Sequence, residues 1–150
     1  MILYRITDAR YANDLNGNGG LFTPGRWHRR GTLLLYLTEH VSLAKLEVLA
    51  NSPKLPKSRT LVTVAVPDNA SITTTDAATL PEGWQNWPYL DELADIVAVW
   101  IREQQFWIMR VPSAQSPTEH NYLLNPLHAE HKTLKLISIV PHPFDYRLKQ

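Results

Sequence analysis

The sequence predicts an α+β fold: a compact single domain with mixed β-sheets and a few helices. Several short segments are rich in β-branched and aromatic residues, as strands are, whereas only two carry the period of about 3.6 residues that indicates a helix. The helical segments do not alternate regularly with the strand segments, which favours mixed sheets over parallel βαβ units. The 150 residues fit one domain, 1–150.

The predicted elements follow from the local sequence in chain order. Strands are predicted at 2–7, 32–38, 60–66, 106–111 and 134–140, with a weaker strand at 71–75. Helices are predicted at 41–51 and 89–105, and the second has acidic residues early and Arg102 late, as the helix dipole favours. The stretch 51–59, with two prolines and three cationic residues, predicts an exposed loop.

Composition narrows the class of protein. With 44% hydrophobic and 19% charged residues the chain is typical of a globular protein, and its net charge of +1 makes any anion site local rather than a basic surface for nucleic acid. The absence of cysteine excludes disulfides and thiolate metal ligands and fits a reducing compartment. The first residues resemble no secretory leader, and Asp95 interrupts the most apolar later stretch. We therefore expect a soluble, cytoplasmic protein.

Glu47 is the most informative residue of the first predicted helix. With successive residues about 100° apart, Leu43, Leu46 and Ala50 form one stripe, and Glu47 falls inside it while Lys45 points away. A buried carboxylate requires a cation, hydrogen-bond donors or an open cleft. From the residues alone, Glu47 is either a structural partner of an arginine, a side chain bending to solvent, or a catalytic acid facing a pocket.

A basic turn, "TPGRWHRRGT" at 23–32, places Arg26 directly before a predicted strand. A guanidinium there can bind a phosphate through two parallel N–H groups, as can those of Arg29 and Arg30, although a merely solvated turn is equally consistent with the spacing. The glycines at 15–20 could bring backbone N–H groups to an anion, but they match neither a P-loop nor a dinucleotide fingerprint.

Other polar and aromatic residues carry weaker signals. Tyr36 lies within a predicted strand, where it serves either core packing or stacking on a flat heterocycle. Ser113 opens a loop after a strand, and no nucleophile elbow surrounds it. We expect no metal site, because no known ligand pattern is formed by His120, His128 and His131.

Several stretches resemble, in order and spacing, the RES domain. They are "YRI" at 4–6, "LNGNGGLFTPGRWHRRGTLLLYLTEHVSLAKLEVL" at 15–49, "VPSAQSPTEHNYLLNPLH" at 111–128 and "FDYRL" at 144–148. This family takes its name from an arginine, a glutamate and a serine, which fall here on Arg26, Glu47 and Ser113. His28 stands where the family more often has asparagine.

The resemblance implies a toxin of a bacterial toxin–antitoxin pair, with a fold similar to that of ADP-ribosyltransferases. Such toxins break the nicotinamide–ribose bond of NAD, their substrate, either depleting NAD as glycohydrolases or transferring ADP-ribose to a protein, and so arrest growth. The implied partner is an Xre-type helix-turn-helix antitoxin that covers the cleft of a homodimeric toxin. No metal, direct nucleic-acid contact or membrane contact is implied.

The same resemblance assigns roles to residues. Glu47 would stabilise the positive charge that develops on the ribose, and Arg26 would hold the diphosphate or orient the ribose. Tyr36 would stack on nicotinamide, and Ser113 would position the ribose or Glu47. The dinucleotide site would also be lined by Trp27, His28 and Asn121.

Two other functions remain open at this point. One is a toxin that targets RNA, with the basic turn and exposed aromatic residues such as Trp27 as its stacking surface. The other is a non-catalytic protein-binding module in which Arg26 and Glu47 form a buried ion pair.

Overall fold

The computed structural model describes residues 1–149, in which seven strands hydrogen-bond into one mixed sheet with two α-helices. The strands are β1 (Ile2–Asp8), β2 (Leu35–Thr38), β3 (Arg59–Ala65), β4 (Ile72–Thr74), β5 (Ile108–Pro112), β6 (His120–Leu124) and β7 (Lys135–Pro141), and the helices are α1 (Val41–Ala50) and α2 (Asp91–Glu103). The sheet order is β4-β5-β6-β2-β1-β3-β7, and β4 with β5 is the parallel pair. No helix within residues 1–149 has the length and apolar character needed to cross a membrane.

The two strands at the centre of the sheet, β1 and β2, share fewer paired residues than any other neighbouring strands. Strands β1 and β2 are in register at a single position, Tyr4 opposite Thr38, whereas β1 and β3 pair along their whole length. The sheet therefore consists of two well-paired parts that join at one point. Residues of both β1 and β2 line a large cleft at this junction.

Strand alternation divides the apolar side chains between two cores, one on each face of the sheet. Leu35 and Leu37 of β2 enter the first core, and Leu34 and Tyr36 pack in the second, so Tyr36 lies on the face that alternation predicted. The second core is covered by α2, which contributes Leu93, Val97 and Trp100.

Most predicted elements are present, but β2 is shorter than predicted and β6 was missed. The predicted strand at 32–38 begins only at Leu35, because the Leu34 N–H bonds to the Gly17 carbonyl of the preceding loop at 3.4 Å. Gly17 has a φ of 69°, and a Cβ there would lie 2.5 Å from the backbone carbon of Leu34, so close packing explains this glycine without an anion. The missed strand β6 is short and central, and its pairing with β2 and β5 overrides its polar first residues.

The apolar stripe predicted for α1 was wrong in two positions. Leu46 is 41% exposed and Ala50 is also exposed, whereas Leu43 and Ala44 are the buried residues of the helix. The helix packs on β1 and β2 at the sheet junction, so its inward face is rotated from the predicted stripe. Glu47 is half-buried and lies at the edge of that inward face, on the cleft.

The packing of α2 predicts which of its residues control stability. Leu93→Ala should lower the free energy of unfolding by about 2–5 kcal/mol, because Leu93 is fully buried and its loss leaves a cavity. Val99→Ala on the same helix should change it by less than about 0.5 kcal/mol, because Val99 is 41% exposed. Urea denaturation of both variants measures the difference, and equal losses would mean that α2 does not pack as described.

Candidate active site

The cleft at the sheet junction has a volume of about 880 Å³, which is within the range of small-molecule sites. Its walls come from β1, β2, α1, the loop 14–28 and the segment 87–89, with contributions from the loop after β5 and from β6. Most residues predicted for the site from the sequence line this cleft: Arg26, Trp27, His28, Tyr36, Glu47 and Asn121. Ser113 does not line it but contacts Glu47.

Glu47 is held by neutral donors rather than by a cation. Its Oε1 accepts a hydrogen bond from Ser113 Oγ at 2.6 Å and another from Asn121 Nδ2 at 2.9 Å. Within residues 1–149, Oε2 accepts no hydrogen bond, and Glu47 forms no salt bridge. One carboxylate oxygen thus fixes the side chain, and the negative charge remains unneutralised beside the cleft.

Ser113 is placed to orient Glu47. Its side chain has 0% exposure, and its Oγ accepts the backbone N–H groups of Gln115 at 3.1 Å and Ser116 at 3.3 Å. These two donors leave the hydroxyl hydrogen for Glu47, since a carboxylate only accepts. A serine so enclosed cannot reach a substrate as a nucleophile. Ser113 was expected to position either the ribose or Glu47, and the structure contains the contact with Glu47.

Asn121 reaches Glu47 because of the strand that the sequence did not predict. On β6 it lies opposite Thr38 of β2 and Val111 of β5, and its side chain is buried. The bond to a carboxylate requires that Nδ2, rather than Oδ1, faces Glu47. Its Oδ1 is buried without a donor in the part of the chain that the structure describes.

Arg26 anchors one wall of the cleft. Its Nη1 donates to the carbonyls of Trp84 at 2.8 Å and Asn86 at 2.9 Å, and its Cζ lies 4.8 Å from the centre of the Tyr89 ring. Burial lowers the pKa of Arg26, and the nearby Tyr89 and Glu47 oppose this effect. The guanidinium remains charged, and its Nε and Nη2 have no protein acceptor among residues 1–149.

The ion pair expected for a non-catalytic module is not formed. Arg26 and Glu47 are near enough for their charges to interact, but no salt bridge of 4.0 Å or less joins them in the described residues. The nitrogen Nη1 of Arg26 is occupied by two carbonyls instead. The predicted direct contact between these two side chains is therefore wrong.

Tyr36 and His28 form a hydrogen-bonded pair in the wall of the cleft. His28 Nε2 lies 2.9 Å from the Thr23 carbonyl, which can only accept, so Nε2 carries the proton and Nδ1 accepts from the Tyr36 hydroxyl at 2.6 Å. Burial lowers the pKa of His28 and raises that of Tyr36, so both are neutral. A Cβ on Gly25 would lie 2.8 Å from His28 Cε1 and 3.0 Å from the Tyr36 oxygen, so only glycine fits there.

This pairing changes the role expected of His28. Both of its ring nitrogens are occupied within the protein, so His28 supports Tyr36 instead of presenting a free nitrogen to an anion. The Tyr36 hydroxyl is likewise used, while the ring itself lines the cleft. Its stacking on nicotinamide stays a prediction.

The rest of the basic turn packs against α2. Trp27 is 2% exposed and belongs to the second core, so the prediction of an exposed stacking surface was wrong. Arg29 lies 2.7 Å from Asp95 of α2, and neither Arg29 nor Arg30 lines the cleft. Of the three arginines in the turn, Arg26 alone lines the cleft. Because Trp27 is buried, only the edge of its ring or its backbone could contact a ligand.

Sequence reasoning missed many residues of the cleft, among them Arg5, Trp87 and Tyr89. Arg5 of β1 donates to the Asp14 carbonyl at 2.5 Å and to Thr7 Oγ1 at 3.2 Å. A cationic residue within an otherwise apolar strand was the sequence signal that could have indicated its place in the cleft. Tyr89 packs on the Arg26 guanidinium and Trp87 contacts Tyr89. Tyr89 opened the helix predicted at 89–105, and Trp87 lay outside the predicted elements. Nothing in their spacing pointed to the cleft.

Two histidines outside the cleft, His128 and His131, have structural partners. His131 accepts from Trp107 Nε1 at 3.0 Å and donates to the Leu15 carbonyl at 2.7 Å. His128 caps a short 3-10 helix, Ala129–Thr133. Across residues 1–149, no group of three or more His, Cys, Asp or Glu side chains is arranged to hold a metal ion.

Comparison with known proteins gives consistent results. Residues 2–147 match the family model of the RES domain. The Prs ADP-ribosylating toxin of Sphingobium sp. is 35% identical, covering 95% of this chain and 92% of its own length. Toxin Res of Yersinia enterocolitica is 34% identical, covering 99% of this chain and all of its own length.

A solved structure shares the fold. A chain of the M. tuberculosis MbcT–MbcA toxin–antitoxin complex aligns with a TM-score of 0.73 at 19% sequence identity. The alignment covers 95% of this chain and 84% of that chain, so the whole domain has the same architecture.

The neutral buried histidines predict a pH dependence of stability. Burial lowers the pKa values of His28 and His131, so the unfolded chain binds protons that the folded chain does not. The stability that the two histidines contribute by staying neutral is complete above the unfolded pKa of about 6.5. It is lost as the pH falls towards their lower pKa values in the folded protein. The free energy of unfolding should therefore decrease as the pH is lowered from about 7.5 to about 5.

Chemical denaturation across this pH range measures the effect in the parent and in the variants His28→Gln and His131→Gln. Each variant should have a flatter pH dependence than the parent. A parent stability that is constant or rises on acidification contradicts the assigned neutral states.

Proposed function

The chain belongs to the RES domain family, and on this basis we propose that it is a toxin that breaks the nicotinamide–ribose bond of NAD. Relatives named as toxins, one of them ADP-ribosylating, support the proposal. The observation that carries it is the Glu47 carboxylate, which Ser113 and Asn121 hold through one oxygen while its charge stays unpaired in a cleft of substrate size.

The chemistry requires a negative charge more than a proton donor. The nicotinamide ring of NAD is already cationic, so it leaves as a neutral molecule and takes the bonding electrons with it. Positive charge develops on the ribose, as in glycoside hydrolysis. A fixed carboxylate stabilises that charge electrostatically, and Glu47 supplies it from an orientation set before the substrate binds.

The other cleft residues suit the remaining parts of a dinucleotide. Arg26 has Nε and Nη2 available for the diphosphate, while its Nη1 maintains the wall. The ring of Tyr36 offers a flat apolar surface for nicotinamide. Ser113 acts through Glu47 and is a positioning residue.

The acceptor of the ADP-ribose is either water or a protein side chain. In hydrolysis, the oxygen of water bonds to the ribose carbon and releases a proton, giving free ADP-ribose. In transfer, a nucleophilic side chain of a target takes the same place. Both follow the same bond cleavage at Glu47, and the products distinguish them.

We also propose an antitoxin partner of the Xre helix-turn-helix type that covers the cleft of a toxin homodimer. The structural neighbour, which comes from a toxin–antitoxin complex, supports a partner of this general kind. Since NAD is the proposed substrate, the toxin would act in the cytoplasm.

Replacing Glu47 with glutamine tests the electrostatic role. Glutamine keeps the shape and an acceptor oxygen for Ser113 and Asn121 but removes the charge, so nicotinamide release from NAD should fall at least about 100-fold. Initial rates are measured on antitoxin-free protein, with thermal unfolding as the check of folding. Glu103→Gln, which alters an exposed carboxylate at the end of α2, should keep the parent rate.

Near-parent release by a folded Glu47→Gln protein would overturn the mechanism. With NAD labelled on its adenosine part, label in free ADP-ribose indicates hydrolysis, and label on added cell proteins indicates transfer. Absence of nicotinamide release from the parent, both alone and with cell extract, would contradict the proposed function.

Replacing Ser113 with alanine tests its positioning role. The N–H groups of Gln115 and Ser116 lose their acceptor in a buried site, which should cost about 1–3 kcal/mol of unfolding free energy. Glu47 loses one of its two donors, so kcat should fall about tenfold while KM changes little, since the buried serine does not touch substrate. A rise in KM alone would show that Ser113 binds substrate directly, and Ser116→Ala serves as the control.

A further inference from the structure

Trp87 is an exposed aromatic residue with no packing role that accounts for its position. It lines the cleft, yet 76% of its surface is exposed. Exposing an indole of this size forfeits the free energy that its burial would provide. A tryptophan placed in this way at the edge of a cleft is suited to contact a ligand.

The segment that carries Trp87 is anchored at several points. Trp84 is largely buried in the second core, and the carbonyls of Trp84 and Asn86 both accept from Arg26 Nη1. The Trp87 ring meets the Tyr89 ring edge to face, with centroids 4.7 Å apart at 89°, and Tyr89 in turn packs on the Arg26 guanidinium. The segment that carries Trp87 is thus anchored before any ligand binds, and the Tyr89 ring supports one edge of the indole, which reduces the conformational entropy lost on binding.

Trp87 is linked to Arg26 through Tyr89. The Tyr89 ring packs on the Arg26 guanidinium and meets the Trp87 ring edge to face, and all three residues line the same cleft as Glu47. The cleft therefore combines a carboxylate with a guanidinium, a tyrosine ring and an open indole that form a chain of contacts. A dinucleotide presents a ribose, a diphosphate and then a second nucleoside with a flat base.

We propose that Trp87 is the stacking surface for the adenine base of NAD and makes the site selective for a dinucleotide over a mononucleotide. This inference rests on the proposed function, which assigns Glu47 to the nicotinamide ribose and Arg26 to the diphosphate. The base at the far end then reaches Trp87, and stacking on an aromatic ring contributes roughly 10- to 100-fold in affinity. Because every base has such a face, the contact selects for a base without selecting strongly among bases.

The test compares NAD with nicotinamide mononucleotide, which has the reacting bond but no adenosine. Trp87→Ala should raise KM for NAD about tenfold and leave kcat/KM for the mononucleotide unchanged. Trp87→Phe, which keeps an aromatic face, should restore most of the affinity for NAD. Tyr146→Ala is the matched control, since Tyr146 is 77% exposed and does not line the cleft.

A binding measurement makes the test independent of catalysis. Calorimetric titration of ADP-ribose into the parent and Trp87→Ala proteins should show affinity about tenfold weaker in the variant. Equal losses on NAD and mononucleotide, or an unchanged ADP-ribose affinity, would overturn the inference while leaving the proposed function intact. Binding of ADP-ribose that depends on Trp87, without nicotinamide release by the parent, would instead support the inference and contradict the proposed function.

Discussion

The hydrogen-bonded carboxylate of Glu47 is the constraint on which the rest of the site depends. Ser113 and Asn121 both donate to Oε1, so α1, the loop after β5 and strand β6 must meet within a few ångströms of one another. Neutral donors satisfy the oxygen without cancelling the charge, whereas an arginine in direct contact would have done both. The protein therefore preserves an unpaired negative charge at the cleft and accepts the cost of partly desolvating it.

The arginine near this carboxylate is occupied in a complementary way. Arg26 uses Nη1 to fix the segment that carries Tyr89 and Trp87, and it stays separate from Glu47. Opposite charges are thus kept close without an ion pair, each held by uncharged groups. This arrangement gives one cleft a region suited to developing positive charge and another suited to phosphate oxygens.

Local patterns predicted the parts of the structure that local physics determines. The strands at 2–7, 60–66 and 134–140 and helix α2 were evident, because alternation and helical periodicity reflect burial along a single element. Strand β6 was not, because its pairing between two distant strands decides its conformation. The burial of Trp27 and the exposure of Leu46 likewise depend on how whole elements pack.

In the candidate site, too, the sequence predicted which residues are present but not how they contact one another. The motif resemblance pointed to Arg26, Tyr36, Glu47 and Ser113, and the structure brings them together. The sequence alone could not show that Ser113 faces Glu47 from behind or that His28 serves Tyr36, because such contacts arise only in three dimensions. It also gave no sign of Trp87, since a loop aromatic has no periodicity to reveal its neighbours.

The single register position between β1 and β2 has a mechanical consequence. Other neighbouring strands pair at several positions, whereas β1 and β2 pair at one, Tyr4 with Thr38. Helix α1, which packs on both strands, also holds them together. The separation of β1 and β2 is accordingly set by fewer paired residues than that of any other neighbouring strands in the described sheet. A molecule that bridges it supplies cohesion that the backbone does not, so occupancy of the cleft and resistance of the whole domain to unfolding rise together.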